Sequence, residues 1–186
     1  MEKLTMSYEM LGGSSMGSNQ NTGMCIPYTV RETPDKGRGV FADAAIPKGS
    51  TVWCHVAGQY AVYDDRSLKA LLSNLPDSES VYVLTHIHCM PEFPEYMIWV
   101  FDDGERINHS EQPTLLTKTR PGYNKGSPAI SAKDVSTALL GGHFTLVAAR
   151  DIEEAEELTL DYNTDPEDPS YYDSLCEQYD VSWEWL

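Results

Sequence analysis

Four short stretches of the chain carry residue types that can do chemistry: DKGRGVFA at 35–42, HIHC at 86–89, ERINHS at 105–110 and EELTLDYN at 156–163. The glycine stretch is weak as a phosphate loop. A dinucleotide fingerprint opens a helix, whereas AAIPKG at 44–49 leaves no room for one. A glycine hairpin turn is the plainer reading, although a backbone bare of side chains can lie tightly against a flat ligand. In ERINHS, His109 and Ser110 are neighbours and point in different directions, which gives poor support to a hydrolytic nucleophile–base pair. Asn108 and His109 taken alone are turn residues. Strand alternation would set His86 and His88 on one face, the beginning of a metal site with Cys89. Spacing places no third or fourth ligand, so ordinary strand residues are the simpler reading there. EELTLDYN by itself is an acidic turn leading into a strand, with Tyr162 as an interfacial aromatic. No stretch decides the chemistry alone; their order and spacing do.

The elements that must position these residues are mostly short strands. YTVRE (28–32) and VFADA (40–44) flank the turn TPDKGRG, IPKGS is a second turn, and TVWCHVAGQYAVY (51–63) reads as one longer strand. A helix capped by Asp64 or Asp65 carries Leu68, Leu71, Leu72 and Leu75 at helical spacing and ends at Pro76. VYVLTHIHCM (81–90) and YMIWVFDD (96–103) read as strands that deliver the chain to Asn108 and His109. A polar stretch from Lys118 to Lys133, with Lys118, Arg120, Lys125 and Lys133, reads as a loop or hairpin insertion. HFTLVAARDI (143–152) is a strand with a core face, and DPSYYDSLCEQY (168–179) is a helix with Ser170 near its start. No internal repeat is visible.

Residues 1–24, rich in Gly, Ser and Met, read as a flexible tail without the apolar centre of a secretory signal. The remaining length suits one domain over 25–164 and an acidic helical segment over 165–186. No apolar run approaches the ~20 residues of a membrane span. Four scattered cysteines without a CxxC pair encode neither a disulfide framework nor a zinc cluster, so an intracellular, reduced protein is expected. The net charge is −16, from 29 acidic against 13 basic residues. Such a field repels phosphate, which argues against direct nucleic-acid binding, and attracts Lys/Arg-rich peptides. Acidity that serves solubility alone fits the charge equally well.

In sequence order, the GRG turn, INHSEQP (107–113) and ARDIEEAEELTLDYN (149–163) resemble the SET domain of protein lysine methyltransferases, over about residues 28–164. The resemblance implies a mostly β fold with few helices: small β-sheets around a pseudoknot, where the NHS and ELTLDY segments cross, followed by a C-terminal helix. It implies S-adenosylmethionine as methyl donor, held by Gly37, Arg38 and Gly39 on one wall and by Asn108 and His109 on the other. Pro113 would fix the loop exit. Tyr162 would be catalytic and also border the donor, where methyl meets acceptor lysine. The substrate implied is a basic protein or peptide, a histone tail foremost, with a nuclear location if so and a cytoplasmic one otherwise. A SET-like module that binds partners without catalysis is the alternative. Several positions depart from the family pattern. Thr114 replaces the Asn of the NHxxxPN loop, Ala155 replaces a Gly before EEL, and Val56 stands for a strand tyrosine that Tyr60 could replace. Flanking zinc-binding cysteines are lacking. Leu160 leans the product toward di- or trimethylation, and Tyr171, Tyr172, Tyr179, Trp183 and Trp185 could close the lysine channel or pack a helix.

Overall fold

Ten short strands and four helices make up the described part of the chain, a computed structural model that covers residues 22–90, 92–119, 131–142, 144–164 and 169–181. The tail expected over the first residues lies outside the described residues up to 21. Thr22 to Met24 are docked, with Met24 buried and bridged to Trp53. Among the described residues, no helix is long and apolar enough to cross a membrane.

β1 (Tyr28–Glu32) and β2 (Arg38–Ala42) form the hairpin expected around TPDKGRG, with Val30 opposite Val40 and Glu32 opposite Arg38. Gly37 turns the corner at φ +69°, where an L side chain is strained. This hairpin extends into a four-stranded sheet of order β1-β2-β10-β7, completed by β10 (Glu157–Leu160) and β7 (Asn108–His109). β10 runs antiparallel to β2 and parallel to β7, with Thr159 opposite Asn108 and Leu160 opposite His109. Two segments some fifty residues apart thus lie side by side, as a pseudoknot crossing requires. Behind them lie a sheet of β3 (Thr51–Cys54), β9 (Phe144–Ala148) and β8 (Leu115–Thr119), and another of β4 (Tyr60–Tyr63), β6 (Met97–Val100) and β5 (Ile87–His88).

Two strand expectations need correction. TVWCHVAGQYAVY is not one strand: Gln59 N–H donates to the Val56 carbonyl at 3.0 Å, closing a turn that sends β3 and β4 to different sheets. VYVLTH is the second half of a helix, α2 (Asp77–His86), and only Ile87 and His88 are strand. Ser80, Val83 and Leu84 are all buried, a stripe at helical spacing that outweighs the β-branched and aromatic composition of the segment. Asp77 and Glu79 in the first turn suit the positive helix start.

The expected helix forms as α1 (Asp65–Leu72), capped by Asp64, whose side chain accepts from Ser67 N–H. The C-terminal helix is α4 (Ser170–Gln178). A helix not expected from composition, α3 (Ala132–Leu140), starts from a capping box of Ser131 and Asp134. The basic stretch is therefore divided: Lys118 lies in β8, Lys133 in α3, and Arg120 and Lys125 lie outside the described residues. Three apolar clusters hold these parts together. The largest packs Val40, Val52, Ile107, Leu115 and Leu158 beneath the four-stranded sheet, and so buries the layer directly under β7 and β10.

Candidate functional site

The apolar residues flanking Asn108 and His109 decide how that pair is presented. Ile107 is buried beneath, while Asn108 and His109 are half-buried at the sheet edge. A 3₁₀ turn at Asp103–Arg106 delivers them, and the Asp102 side chain caps that turn by accepting from Gly104 N–H at 2.9 Å. The same carboxylate accepts from Trp53 Nε1 at 3.0 Å and from Gly23 N–H at 2.5 Å, so one buried group ties the turn to β3 and to the docked segment before β1. Within the turn, burial pushes the Glu105 carboxyl up, while the adjacent Arg106 guanidinium opposes that shift.

Around β7 and β10 the expected site residues meet. The Asn108 side-chain amide donates to Glu157 Oε1 at 2.8 Å and reaches the Arg38 carbonyl at 3.4 Å. A Cβ placed on Gly39 would lie 2.8 Å from Asn108 Nδ2 and 2.6 Å from Glu157 Oε1. The glycine is what lets β2 approach these two groups. On the other side, Tyr162 N–H donates to His109 Nδ1 at 3.1 Å, and the two rings lie 5.5 Å apart. Nδ1 acts as acceptor, so the ring is the tautomer with its proton on Nε2. The Asp161 carboxylate lies 3.8 Å from the same nitrogen. The Tyr162 hydroxyl donates to the Ile107 carbonyl at 2.5 Å, and the residue is 43% exposed. Its ring is thus fixed at one end and open to solvent on the other.

A family model for the SET domain matches residues 37–163, over two thirds of the chain. The chain belongs to the SET domain family. N-lysine methyltransferase KMT5A-A of Danio rerio is 32% identical over 140 residues, which span 72% of this chain and 34% of that protein. The chain therefore spans about a third of the curated relative it matches. The structure of the Neurospora SET domain protein DIM-5, a histone lysine methyltransferase, superposes with a TM-score of 0.51 at 18% identity, covering 80% of this chain and 56% of that one. KRYPTONITE, solved in complex with mCHG DNA and SAH, gives a TM-score of 0.47 at 20% identity, covering 79% and 26%. The fold expected from the sequence, small β-sheets with few helices, is the SET fold.

Several departures from the SET pattern have a structural account. Thr114 is buried, and its hydroxyl accepts from Thr159 N–H at 2.8 Å while its own N–H donates to Thr159 Oγ1 at 3.2 Å. A threonine thus pins the exit of the loop to β10. Ala155 adopts φ +67°, a conformation that glycine takes without strain. Tyr60 turns toward α3, donating to the Ser136 carbonyl at 2.9 Å, and its strand β4 lies in a different sheet from β10, the strand that leads to Tyr162. Tyr171 donates to the Glu95 carbonyl at 3.1 Å, Tyr172 is buried with its hydroxyl on the Leu84 carbonyl, and Tyr179 packs on the same cluster. These three hold α4 against α2 and the loop before β6; Trp183 and Trp185 lie outside the described residues.

Sequence reasoning passed over Lys36, Glu157 and the Ile107 carbonyl. Lys36 Nζ donates to the His109 carbonyl at 2.9 Å. Glu157 shares a face with Thr159 on β10, an alternation that was open to reading. The expectation that His86 and His88 share one strand face is corrected, because only His88 lies in a strand. His86 ends α2 with Nδ1 2.8 Å from the Tyr82 carbonyl, and no group of three or more His, Cys, Asp or Glu able to hold a metal occurs among the described residues.

Proposed function

We propose that the chain is an S-adenosylmethionine-dependent protein lysine N-methyltransferase acting on basic segments, histone tails foremost, and hence nuclear. The observation that supports it most is the meeting of Gly39, Asn108, His109 and Tyr162 around one strand pair, β7 and β10, in a SET domain. The name of the zebrafish relative points the same way. The residues suit the donor. Gly37, Arg38 and Gly39 offer a backbone wall without bulk, Asn108 offers an amide, and His109 offers peptide groups beside it. Glu157, held by Asn108, suits the ammonium of an amino acid moiety.

When bound, the donor supplies an electrophilic sulfonium methyl. The protein's own work is to present a neutral amine in line and to exclude water. At pH 7 a lysine of pKa about 10.4 is deprotonated at a cost of about 4.6 kcal/mol, taking about 1.36 kcal/mol per unit. An apolar, aromatic approach lowers that cost by desolvating the ammonium. Tyr162, tethered through its hydroxyl to Ile107 and backed by the His109 ring, is a fixed surface for that approach. It positions and polarises and needs no basicity. The protein's acidity favours cationic segments around the target lysine. Leu160, opposite His109, has no hydroxyl to hold a water, which supports more than one methyl per lysine.

Titration calorimetry with S-adenosylmethionine, followed by initial rates for wild type and Tyr162→Phe, tests the proposal. Saturable binding in both proteins, with a rate reduced at least about tenfold in the variant, is expected. Binding without a rate difference would remove Tyr162 from its role. No binding at all would leave a partner-binding module.

A further inference from the structure

Cys25 and Cys54 are separated by 29 positions, yet their sulfurs lie 3.8 Å apart on the outer side of the docked N-terminal segment. Backbone pairing sets them there. Cys25 N–H donates to the Val52 carbonyl at 2.8 Å, and Cys54 N–H donates to the Gly23 carbonyl at 2.9 Å. Met24 and Trp53, between them, face the core, so the two thiols share the opposite face. Cys25 is exposed and Cys54 partly so, while Cys89 and Cys176 are buried. A reagent in solution therefore meets this pair first.

We propose that Cys25 and Cys54 are a reversible thiol–disulfide site, oxidised by small-molecule disulfides of the glutathione class, that locks residues 22–25 onto β3. The thiolate of one cysteine attacks a sulfur of glutathione disulfide and forms a mixed disulfide, releasing one glutathione. The second cysteine then displaces the other glutathione and closes the Cys25–Cys54 bond. Two electrons pass from the cysteine pair to glutathione disulfide, and the two thiol protons end on the two glutathione molecules. Partial burial and the neighbouring Cys54 hold the Cys25 thiol up at about 11. The bond would fix Gly23 on Asp102, the carboxylate that caps the turn leading to Asn108 and His109. Its oxidation state thus bears on how firmly that turn is held.

The full chain, equilibrated with glutathione buffers of graded oxidation, is digested under acid and mapped by mass spectrometry. A peptide linking Cys25 to Cys54, reversed by reduced glutathione, and a Tm higher by roughly 5–10 °C in the oxidised form are expected. Cys54→Ser should stop at a glutathione adduct on Cys25 and show no rise in Tm. The proposal is overturned by a persistent Cys25 adduct in wild type, by disulfides between chains, or by a linked peptide without a rise in Tm.

Discussion

Replacing Gly39 by alanine adds one methyl at the most crowded point of the site. The new Cβ would meet Glu157 Oε1 at 2.6 Å and Asn108 Nδ2 at 2.8 Å, so reaching the 3.4 Å of ordinary contact requires retreats of about 0.8 and 0.6 Å. Both atoms are the far ends of side chains and move without dragging a strand. The hydrogen bond between them, 2.8 Å long and partly exposed, is lost in the process. Hydrogen bonds to charged groups contribute about 1.5–3 kcal/mol, and partial exposure places this one at the lower end. A loss of about 1–2 kcal/mol in urea denaturation is expected, together with a weakening of S-adenosylmethionine by about 10–100-fold in calorimetry, since the Asn108 amide is displaced. Gly142→Ala is the control. Gly142 sits at φ +67° with open space around it, beyond α3, so its methyl brings only backbone strain of about 1 kcal/mol. Its donor affinity should match wild type. Gly39→Ala binding the donor normally, or both variants weakening it alike, would refute the placement of Gly39 beside the donor.

Ala155→Gly relieves a strained φ of +67° and should raise stability by about 1 kcal/mol, seen as a Tm higher by about 2–4 °C; a lower Tm would show that the strain is not there. Thr114→Val leaves Thr159 N–H without its acceptor in a buried place and should cost about 1–3 kcal/mol in denaturation; a neutral result would mean that the loop exit is held otherwise. His55 is buried, and burial, with nearby His88, pushes its imidazole down to about 3. The unfolded chain, with an imidazole near 6.5, then takes up the proton first, so stability from this group is complete above about pH 6.5 and is lost toward pH 3, at about 1.4 kcal/mol per unit. Denaturation midpoints from about pH 7 to about pH 4 should fall less steeply in His55→Leu than in wild type, and parallel curves would contradict the burial.

Local chemistry made the hairpin, the Asp64 cap and the leucine stripe of α1 legible, because each depends on residues within one turn of one another. The residues of the strand pair at Asn108 and Thr159 were legible by a different route, the family order of motifs; no local signal pairs strands that far apart. Where neighbours in space decide, the reading failed. VYVLTH has strand composition but becomes helix because Val83 and Leu84 pack in one cluster with Tyr172, Leu175 and Cys176 of α4, and the Tyr172 hydroxyl donates to the Leu84 carbonyl. Tyr60 donates its hydroxyl to the Ser136 carbonyl of α3, a contact that nothing local in the sequence announces. The α3 capping box, Ser131 with Asp134, was present in the letters but overshadowed by the polar stretch before it. Lys36 reaches the site through a contact with the His109 carbonyl that no spacing along the chain announces.

The central claim is methyl transfer to protein lysine, and the most direct measurement supplies methyl-labelled S-adenosylmethionine with purified histones and, separately, with a total protein extract. Label is expected on lysine side chains of a histone, identified by peptide mapping, and should be absent with Tyr162→Phe. Donor binding by calorimetry with no labelled lysine in either mixture would contradict a methyltransferase and leave a donor-binding module in its place.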